Sequence, residues 1–524
     1  MKKVAIIGAG IVGSTVAYYL SKNPAYQVTV FDQGIGQATK AAAGIISPWF
    51  SKRRNKEWYR MARLGADFYL DLVADLQKDG FATEFYQQTG VFVLKKKEES
   101  LEILYDLANQ RRKESPIIGD LRLLSQAEAA ECFPNLKGFD RLLYASGGAR
   151  VEGLLLTQTL LVASGAEVLQ KKVSLDIRDG AFWVDSCCFD QVILATGAWL
   201  PELLKPLGYQ VDIRPQKGQL RDYQTALMTD DYPVVMPEGE LDIIPFQNGK
   251  ISMGATHENE MGYDLKVNQA MLDEMEQEAL YYFPSLSQAK VVSERVGIRA
   301  YTSDFSPFFG QVPNLPQVLA AGGLGSSGLT TGPLIGYHLA QMVQGKSGSL
   351  NPADYPIERY IKKEKWMTEN ILNWVNVCVK KGNQVLLLNR QHDDFKGWIQ
   401  PGGKVEFPES FFEAAARELK EETGLIALNL QLKGISGFTN PTKAERYVYY
   451  DFLCEEFDGE LLTESREGQP KWWSIDELDQ LDMQDDIRDR LPLYWRKGSF
   501  ERIHYWNEEN HCIKETKTIL YDER

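Results

Sequence analysis

The sequence predicts a chain of mixed α/β and α+β class, built from two domains. Three observations lead there. A short β-rich run at residues 3–7 passes through Gly8-Ala9-Gly10-Ile11-Val12-Gly13 into a helical pattern, and a second β-rich run follows at residues 27–31. A helical segment at residues 410–423 carries three glutamates on adjacent turns. Between the two, residues 345–356 are rich in Gly, Ser, Pro and Asp, and fresh β-rich runs begin at 374–379 and 384–389.

A chain of 524 residues is too long for one core. The domain boundary is placed near residue 365, giving 1–365 and 366–524. The formal charge of −14 argues against a nucleic acid polymer as partner. Six cysteines (Cys132, Cys187, Cys188, Cys378, Cys454 and Cys512) form no C-x-x-C pair. Free thiols in a reducing, cytoplasmic setting are therefore expected. The apolar start runs straight into glycines and a helix, which reads as a strand and not a signal peptide. Residues 318–343 hold several glycines and His338, so no membrane span is expected.

Residues 3–31 make a β-α-β unit, with Asp32 closing the second strand nineteen residues after Gly13. Gly8, Gly10 and Gly13 let the backbone approach a pyrophosphate at a helix N-terminus, and Asp32 can accept from ribose hydroxyls. These residues suit NAD and FAD equally. A further β run at 191–194 ends in Ala195-Thr196-Gly197. Residues 241–255 read as two strands around Asn248-Gly249. Strand 318–321, a glycine-rich turn and a helix from about 333 to 343 close the first domain.

In the helix at 410–423, Phe412, Ala415, Ala416 and Leu419 share one face, and Gly424 is a natural stop. Glu418, Glu421 and Glu422 share the other. Such a cluster repels itself unless a hard cation such as Mg²⁺ or Mn²⁺ binds there. A bound cation can bridge phosphate oxygens and activate water. A solvated acidic face is the plainer meaning of such a run. Here, however, the order Gly403, five residues, Glu409, seven residues, Arg417-Glu418-Leu419-x-Glu421-Glu422-x-Gly424-Leu425 meets every fixed position of a known motif.

That motif is the Nudix box, and residues 366–524 resemble the Nudix hydrolases, an α/β/α sandwich. The resemblance implies Glu418, Glu421 and Glu422 as metal ligands. Arg417 and Glu409 are implied as the pair orienting the metal loop, with Gly402 and Gly403 as the turn against the phosphates. Pro470-Lys471-Trp472-Trp473, Met483-Gln484-Asp485-Asp486, Phe500 and Tyr505 resemble the oxidised-purine triphosphatases of the MutT type. That implies Asp485 and Asp486 as readers of the base, although a helix N-terminal acidic pair explains the same two residues. The asparagine these enzymes carry ahead of the glycines is missing, since Trp398-Ile399-Gln400-Pro401 stands there. Glu467 is a further candidate ligand.

In the first domain, Gly36 to Ile45, Gly297-Ile298-Arg299, Gly310 and Gly322 to Pro333 resemble the FAD-dependent D-amino acid and glycine oxidase family over residues 1–345. The resemblance implies a Rossmann-type FAD-binding domain with an inserted antiparallel-sheet substrate domain. It implies FAD contacts from Gly8, Gly10, Gly13, Asp32, Ala43, Gly44, Thr196, Gly197, Gly325, Gly328, Leu329 and Thr330. Arg299 matches the arginine that clamps the substrate carboxylate. Asp242 stands where these oxidases tend to carry a tyrosine; a carboxylate there would disfavour a simple amino acid's carboxylate and could favour a second amino group, which leaves the amine substrate open. His257 is expected to be structural.

The expected protein is bifunctional. One half oxidises an amino acid or secondary amine with FAD; the other hydrolyses a nucleoside di- or triphosphate with Mg²⁺, such as an oxidised purine nucleotide. The alternative is a flavin dehydrogenase regulated by a non-catalytic, nucleotide-sensing Nudix module. Peroxide release by the first half, answered by the second, would couple the two.

Overall fold

The structure, a computed structural model, describes residues 1–178, 180–363, 370–391, 396–507 and 512–522. The expected boundary near residue 365 lies outside the described residues. The chain divides into two compact units, Met1–Glu364 and Lys365–Arg524.

In the first unit, strand Lys2–Ile7 occupies the inside of a six-stranded sheet. The order is Phe308–Gln311, Val318–Gly322, Gln191–Leu194, Lys2–Ile7, Tyr26–Phe31, Glu167–Leu169. All neighbours are parallel except the first pair. Such strands must be apolar on both faces, and the alternation is plain. Val4, Ile6, Val28 and Val30 pack with helices Ile11–Ser21 and Gly328–Val343. Ala5, Ile7, Val192 and Leu194 pack on the opposite face with Phe182 and Val184 of a small three-stranded sheet.

Helix Gly328–Val343 starts five residues earlier than the sequence suggests, with Pro333 inside it. Proline withholds the N–H that would bond the carbonyl four residues back. That carbonyl, Leu329 O, instead accepts the Tyr69 hydroxyl at 2.6 Å.

An eight-stranded sheet forms the second layer, ordered Lys290–Tyr301, Arg214–Gln224, Lys250–Gly254, Asp242–Pro245, Val234–Met236, Val91–Val93, Arg141–Ala145, Leu121–Ser125. The expected antiparallel pairing holds except between Val234–Met236 and Val91–Val93, which are parallel. The sheet joins strands from two separate stretches of chain, and that pair is the seam. The turn at Asn248 and Gly249 has positive φ at both residues, as the Asn-Gly pair predicts.

The second unit is a nine-stranded sheet with a helix on each face. Val375, Val377, Val379, Leu386, Phe452 and Cys454 pack under helix Phe411–Thr423. The alternate residues Cys378, Val385, Leu387 and Leu453 pack under helix Asp485–Trp495. This period of two, with opposite faces covered, makes the α/β/α sandwich. Helix Phe411–Thr423 is capped at Ser410 by a reciprocal box with Glu413 and stops at left-handed Gly424. Its buried stripe is Ala414, Ala415, Leu419, Glu422 and Thr423, while Phe412 is exposed and stacks edge-on to Phe452. The buried face is therefore rotated from the expected one, and Glu422 is carried inside. All six cysteines are free. Among the described residues, no helix is long and apolar enough to cross a membrane.

Candidate active sites

A cavity of about 1130 Å³ runs through the first unit from Asp32 to Arg299. Gly8, Gly10 and Asp32 line one end. The three loop glycines divide by what surrounds them. A Cβ on Gly8 would lie 2.3 Å from the Ala195 carbonyl oxygen, and one on Gly13 would lie 1.8 Å from the Gly8 oxygen. Both are demanded by the fold itself. Gly10 would meet only the Thr39 hydroxyl, at 3.3 Å, so its small size serves whatever enters the cavity. As N-cap it offers no side chain; the Thr39 hydroxyl takes the Ile11 N–H at 3.1 Å, and the amides that follow in the first turn are left to a ligand. Asp32 is fixed by the Ala9 N–H at 2.6 Å and by the Gly34 N–H and Gln37 Nε2 at 2.5 Å each.

Ala43, Gly44, Thr196 and Gly197 line the middle of the cavity. The Thr196 hydroxyl is buried there with no partner among the described residues. Gly325, Gly328, Leu329 and Thr330 line it at the start of the second helix. Two helix starts, an unpartnered hydroxyl and this volume fit an elongated dinucleotide cofactor. Gly13 lies behind the loop and does not line the cavity.

The eight-stranded sheet supplies the other end. Arg299 donates to the Thr256 carbonyl at 2.8 Å and to Gln216 Oε1 at 3.2 Å. Among the described residues it has no carboxylate at ion-pair distance. Burial pushes its ionisation down, opposed by Tyr301, Glu240 and Glu258. Burial pushes the Asp242 carboxyl up to about 8 against the charge of Lys95. At neutral pH Asp242 is thus mainly a neutral acid. His257 Nδ1 lies 3.5 Å from Glu240, and burial and Arg299 lower its pKa.

In the second unit, Arg417 holds Glu409 through two nitrogens, at 2.6 and 3.0 Å, and Glu418 at 2.7 Å. It also donates to the Lys404 carbonyl at 3.1 Å and reaches Glu421 at 3.4 Å. A Cβ on Gly403 would lie 2.2 Å from the Glu418 carboxylate, so that glycine makes the room Glu418 occupies. Glu422 accepts the Gly402 N–H at 2.9 Å. Burial pushes the Glu422 carboxyl up to about 8, against that hydrogen bond and helped by Glu418 and Glu467. Among the described residues no three acidic, imidazole or thiol groups converge on one point. Glu418 and Glu421 instead share Arg417 while Glu422 takes the Gly402 N–H, with Glu421 facing solvent. The donor set is nonetheless all oxygen and acidic, the kind a hard divalent cation takes.

These two geometries have counterparts among known proteins. Residues 3–342 match the family model for FAD dependent oxidoreductases (DAO), and residues 372–494 match that for the NUDIX domain. The chain belongs to the DAO family and carries a NUDIX domain. It is 42% identical over 366 residues to the uncharacterized oxidoreductase YurR of Bacillus subtilis, spanning 68% of this chain and 98% of that protein. The crystal structure of iminodiacetate oxidase from Chelativorans sp. BNC1 superposes with a TM-score of 0.64 at 34% identity, covering 68% of this chain and 98% of the other. The second unit is 32% identical over 129 residues to the ADP-ribose pyrophosphatase of Methanocaldococcus jannaschii, covering 24% of this chain and 74% of that protein. Both families are enzymes, and FAD is the cofactor of the first.

Within the NUDIX domain the acidic pair separates. Asp485 is exposed at the helix start. Asp486 is held by His504 Nε2 at 2.5 Å, Arg502 at 3.0 Å and Arg490 at 3.7 Å. Against the upward push of burial, these partners keep its carboxyl well below the usual range. Its acceptors are engaged inside the protein, whereas those of Asp485 face solvent.

Two DAO-unit residues escaped the sequence reading. A Cβ on Gly218 would lie 2.6 Å from the Arg299 guanidinium, so this glycine makes the arginine's seat. A lone glycine inside the long strand Arg214–Gln224 is the signal that could have found it. Lys95 lines the cavity after strand Val91–Val93, and nothing in Lys95-Lys96-Lys97 distinguishes it from solvated lysines.

Proposed function

We propose that the chain is a bifunctional enzyme: an FAD-dependent oxidoreductase for an amino acid or secondary amine joined to a metal-dependent diphosphate hydrolase. The observation that carries the first half is Arg299, a guanidinium without an ion-pair partner among the described residues, at the sheet end of a dinucleotide-sized cavity. Such a group holds a carboxylate by paired, charge-assisted hydrogen bonds and so fixes the neighbouring Cα–N bond. The glycine loop and Asp32 would hold the pyrophosphate and ribose, and the helix start at Gly328 would hold the ring end. FAD, when bound, supplies the two-electron acceptor. The relation to an iminodiacetate oxidase supports a C–N bond as the one oxidised. His257, lowered in pKa and set against Glu240, is assigned no proton transfer.

In the NUDIX domain, Glu418, Glu421 and Glu422 are the proposed ligands of Mg²⁺ or Mn²⁺, with Arg417 and Glu409 orienting Glu418. These residues would hold the cation, which would supply Lewis-acid chemistry for hydrolysis at a diphosphate. The engaged Asp486 and the relation to an ADP-ribose pyrophosphatase favour a nucleoside diphosphate derivative over an oxidised purine triphosphate.

Anaerobic mixing of the holoenzyme with a panel of amino acids and secondary amines tests the first half, read as loss of the yellow flavin absorbance. Mg²⁺-dependent cleavage of ADP-ribose and of 8-oxo-dGTP, compared side by side, tests the second. No bleaching across the panel, or no cleavage of any diphosphate, overturns the corresponding half.

A further inference from the structure

Strand Lys290–Tyr301 carries Arg299 near one end, and the residues at alternate positions before it share its face. Arg299 lines the cavity. Two residues earlier, a Cβ on Gly297 would lie 2.9 Å from the Ala41 Cβ and 3.0 Å from the Ala38 Cα, so this glycine seats the segment 36–44. Two residues earlier again, Arg295 donates to the Lys40 and Ala42 carbonyls at 3.3 Å each. The same segment is tied at its start. The Ile298 N–H donates to the Gly36 carbonyl at 3.0 Å, Gln37 holds Asp32, and Thr39 accepts the Ile11 N–H. Residues 37–39 and 41–44 line the cavity; Arg295 does not.

Arg295 is itself held in place. Its Nε and Nη2 each lie 2.9 Å from an oxygen of Asp222, and Nη2 also donates to Ser252 Oγ at 3.0 Å. Asp222 is buried, and it accepts the hydroxyls of Ser252 at 2.5 Å and Ser293 at 2.7 Å. These serines stand opposite Asp222 on the strands to either side. A fork-on-carboxylate pair of this kind fixes the plane of the guanidinium, and so the direction of its remaining donors. Those donors meet the backbone of the cofactor-lining segment.

A peptide unit is planar and trans, so its C=O and its N–H point to opposite sides. Arg295 takes the Ala42 carbonyl on one side, which turns the Ala43 N–H to the other, and Ala43 lines the cavity. Among the described residues that N–H has no partner.

We infer that Arg295, locked by Asp222, is a positioning residue of the cofactor site, setting the peptide between Ala42 and Ala43 so that its N–H serves FAD. This rests on FAD as the occupant of the cavity and extends the site to a charged pair behind its wall. One face of one strand then holds the cofactor segment through Arg295 and Gly297 and the substrate through Arg299.

The test is fluorescence titration of FAD into the apoprotein of the full chain, with circular-dichroism melts to show that each variant is folded. Arg295→Met alone strands a buried carboxylate, which destabilises the fold in its own right. Arg295→Met combined with Asp222→Asn removes both charges. The double variant is expected to fold and to bind FAD about tenfold more weakly than wild type. Arg295→Lys keeps a cation beside Asp222 without the planar fork, and its affinity should fall between the two. Wild-type FAD affinity in the folded double variant overturns the positioning role. So does a loss that follows the apoprotein melting temperature across all three variants, with Arg295→Lys no better than Arg295→Met. A wild-type chain that takes up no FAD would instead remove the cofactor reading on which the role rests.

Discussion

A Cβ on Gly218 would stand 2.6 Å from the guanidinium carbon of Arg299. The arginine proposed to hold the substrate carboxylate thus lies flat on a backbone stripped of its side chain, on the strand next to its own. Gly218→Ala is expected to push the guanidinium out of place without emptying the site of FAD. Steady-state kinetics should show kcat/KM falling about 10²-fold, with the flavin spectrum of the purified protein unchanged.

The glycine loop separates folding from cofactor binding. Gly10→Ala adds a methyl that meets only the Thr39 hydroxyl, at a φ of −71° that alanine adopts freely. The variant should fold with wild-type thermal stability in the FAD-free state and bind FAD at least about tenfold more weakly by fluorescence titration. Gly13→Ala, whose methyl would lie 1.8 Å from the Gly8 oxygen, should instead fail to give folded protein.

Asp242 carries a pH signature. Its carboxyl stays protonated up to about 8 in the folded chain, against an ordinary value of 3.8. The folded state therefore holds a proton that the unfolded state has released across that window, and stability falls as pH rises through it. Asp242→Asn removes the penalty. Scanning calorimetry should show little change in melting temperature near pH 4 and a gain of roughly 2–4 °C for the first unit at about pH 8.5.

In the NUDIX domain, Glu421→Gln should lower Mg²⁺-dependent hydrolysis by roughly 10²–10³-fold while the fold stays intact, because Glu421 faces solvent. Arg417→Ala should do more. It strips Glu409 and Glu418 of their shared partner, and about 1–2 kcal/mol of domain stability should be lost in urea melts along with activity.

Much of this was legible beforehand, and the reason differs by element. The β-α-β unit and the Nudix helix write themselves in sequence because their function is carried by local spacing: Gly8, Gly10 and Gly13 on one turn, Glu418 to Glu422 on one helix. What escaped depends on contacts between distant strands. The seat Gly218 gives Arg299 joins residues 81 apart, as numbering shows, and the ties of Asp486 to Arg502 and His504 join a helix to a strand. The ionisation of Asp242 was missed for a third reason: a carboxyl's charge depends on its surroundings, and sequence supplies only its identity. The buried face of helix Phe411–Thr423 was read one step out of phase, since Phe412 is apolar yet packs from outside against Phe452.

The central claim is that Arg299 orients an amino-carboxylate for oxidation in the DAO unit. Its most direct test is anaerobic stopped-flow reduction of FAD-loaded wild type and Arg299→Met by the best amine of the panel, followed at the flavin absorbance. The account predicts that Arg299→Met keeps its FAD, and that its limiting kcat/KM for reduction falls by about 10²–10³-fold. Reduction of both proteins with the same rate and the same dependence on substrate concentration would contradict it.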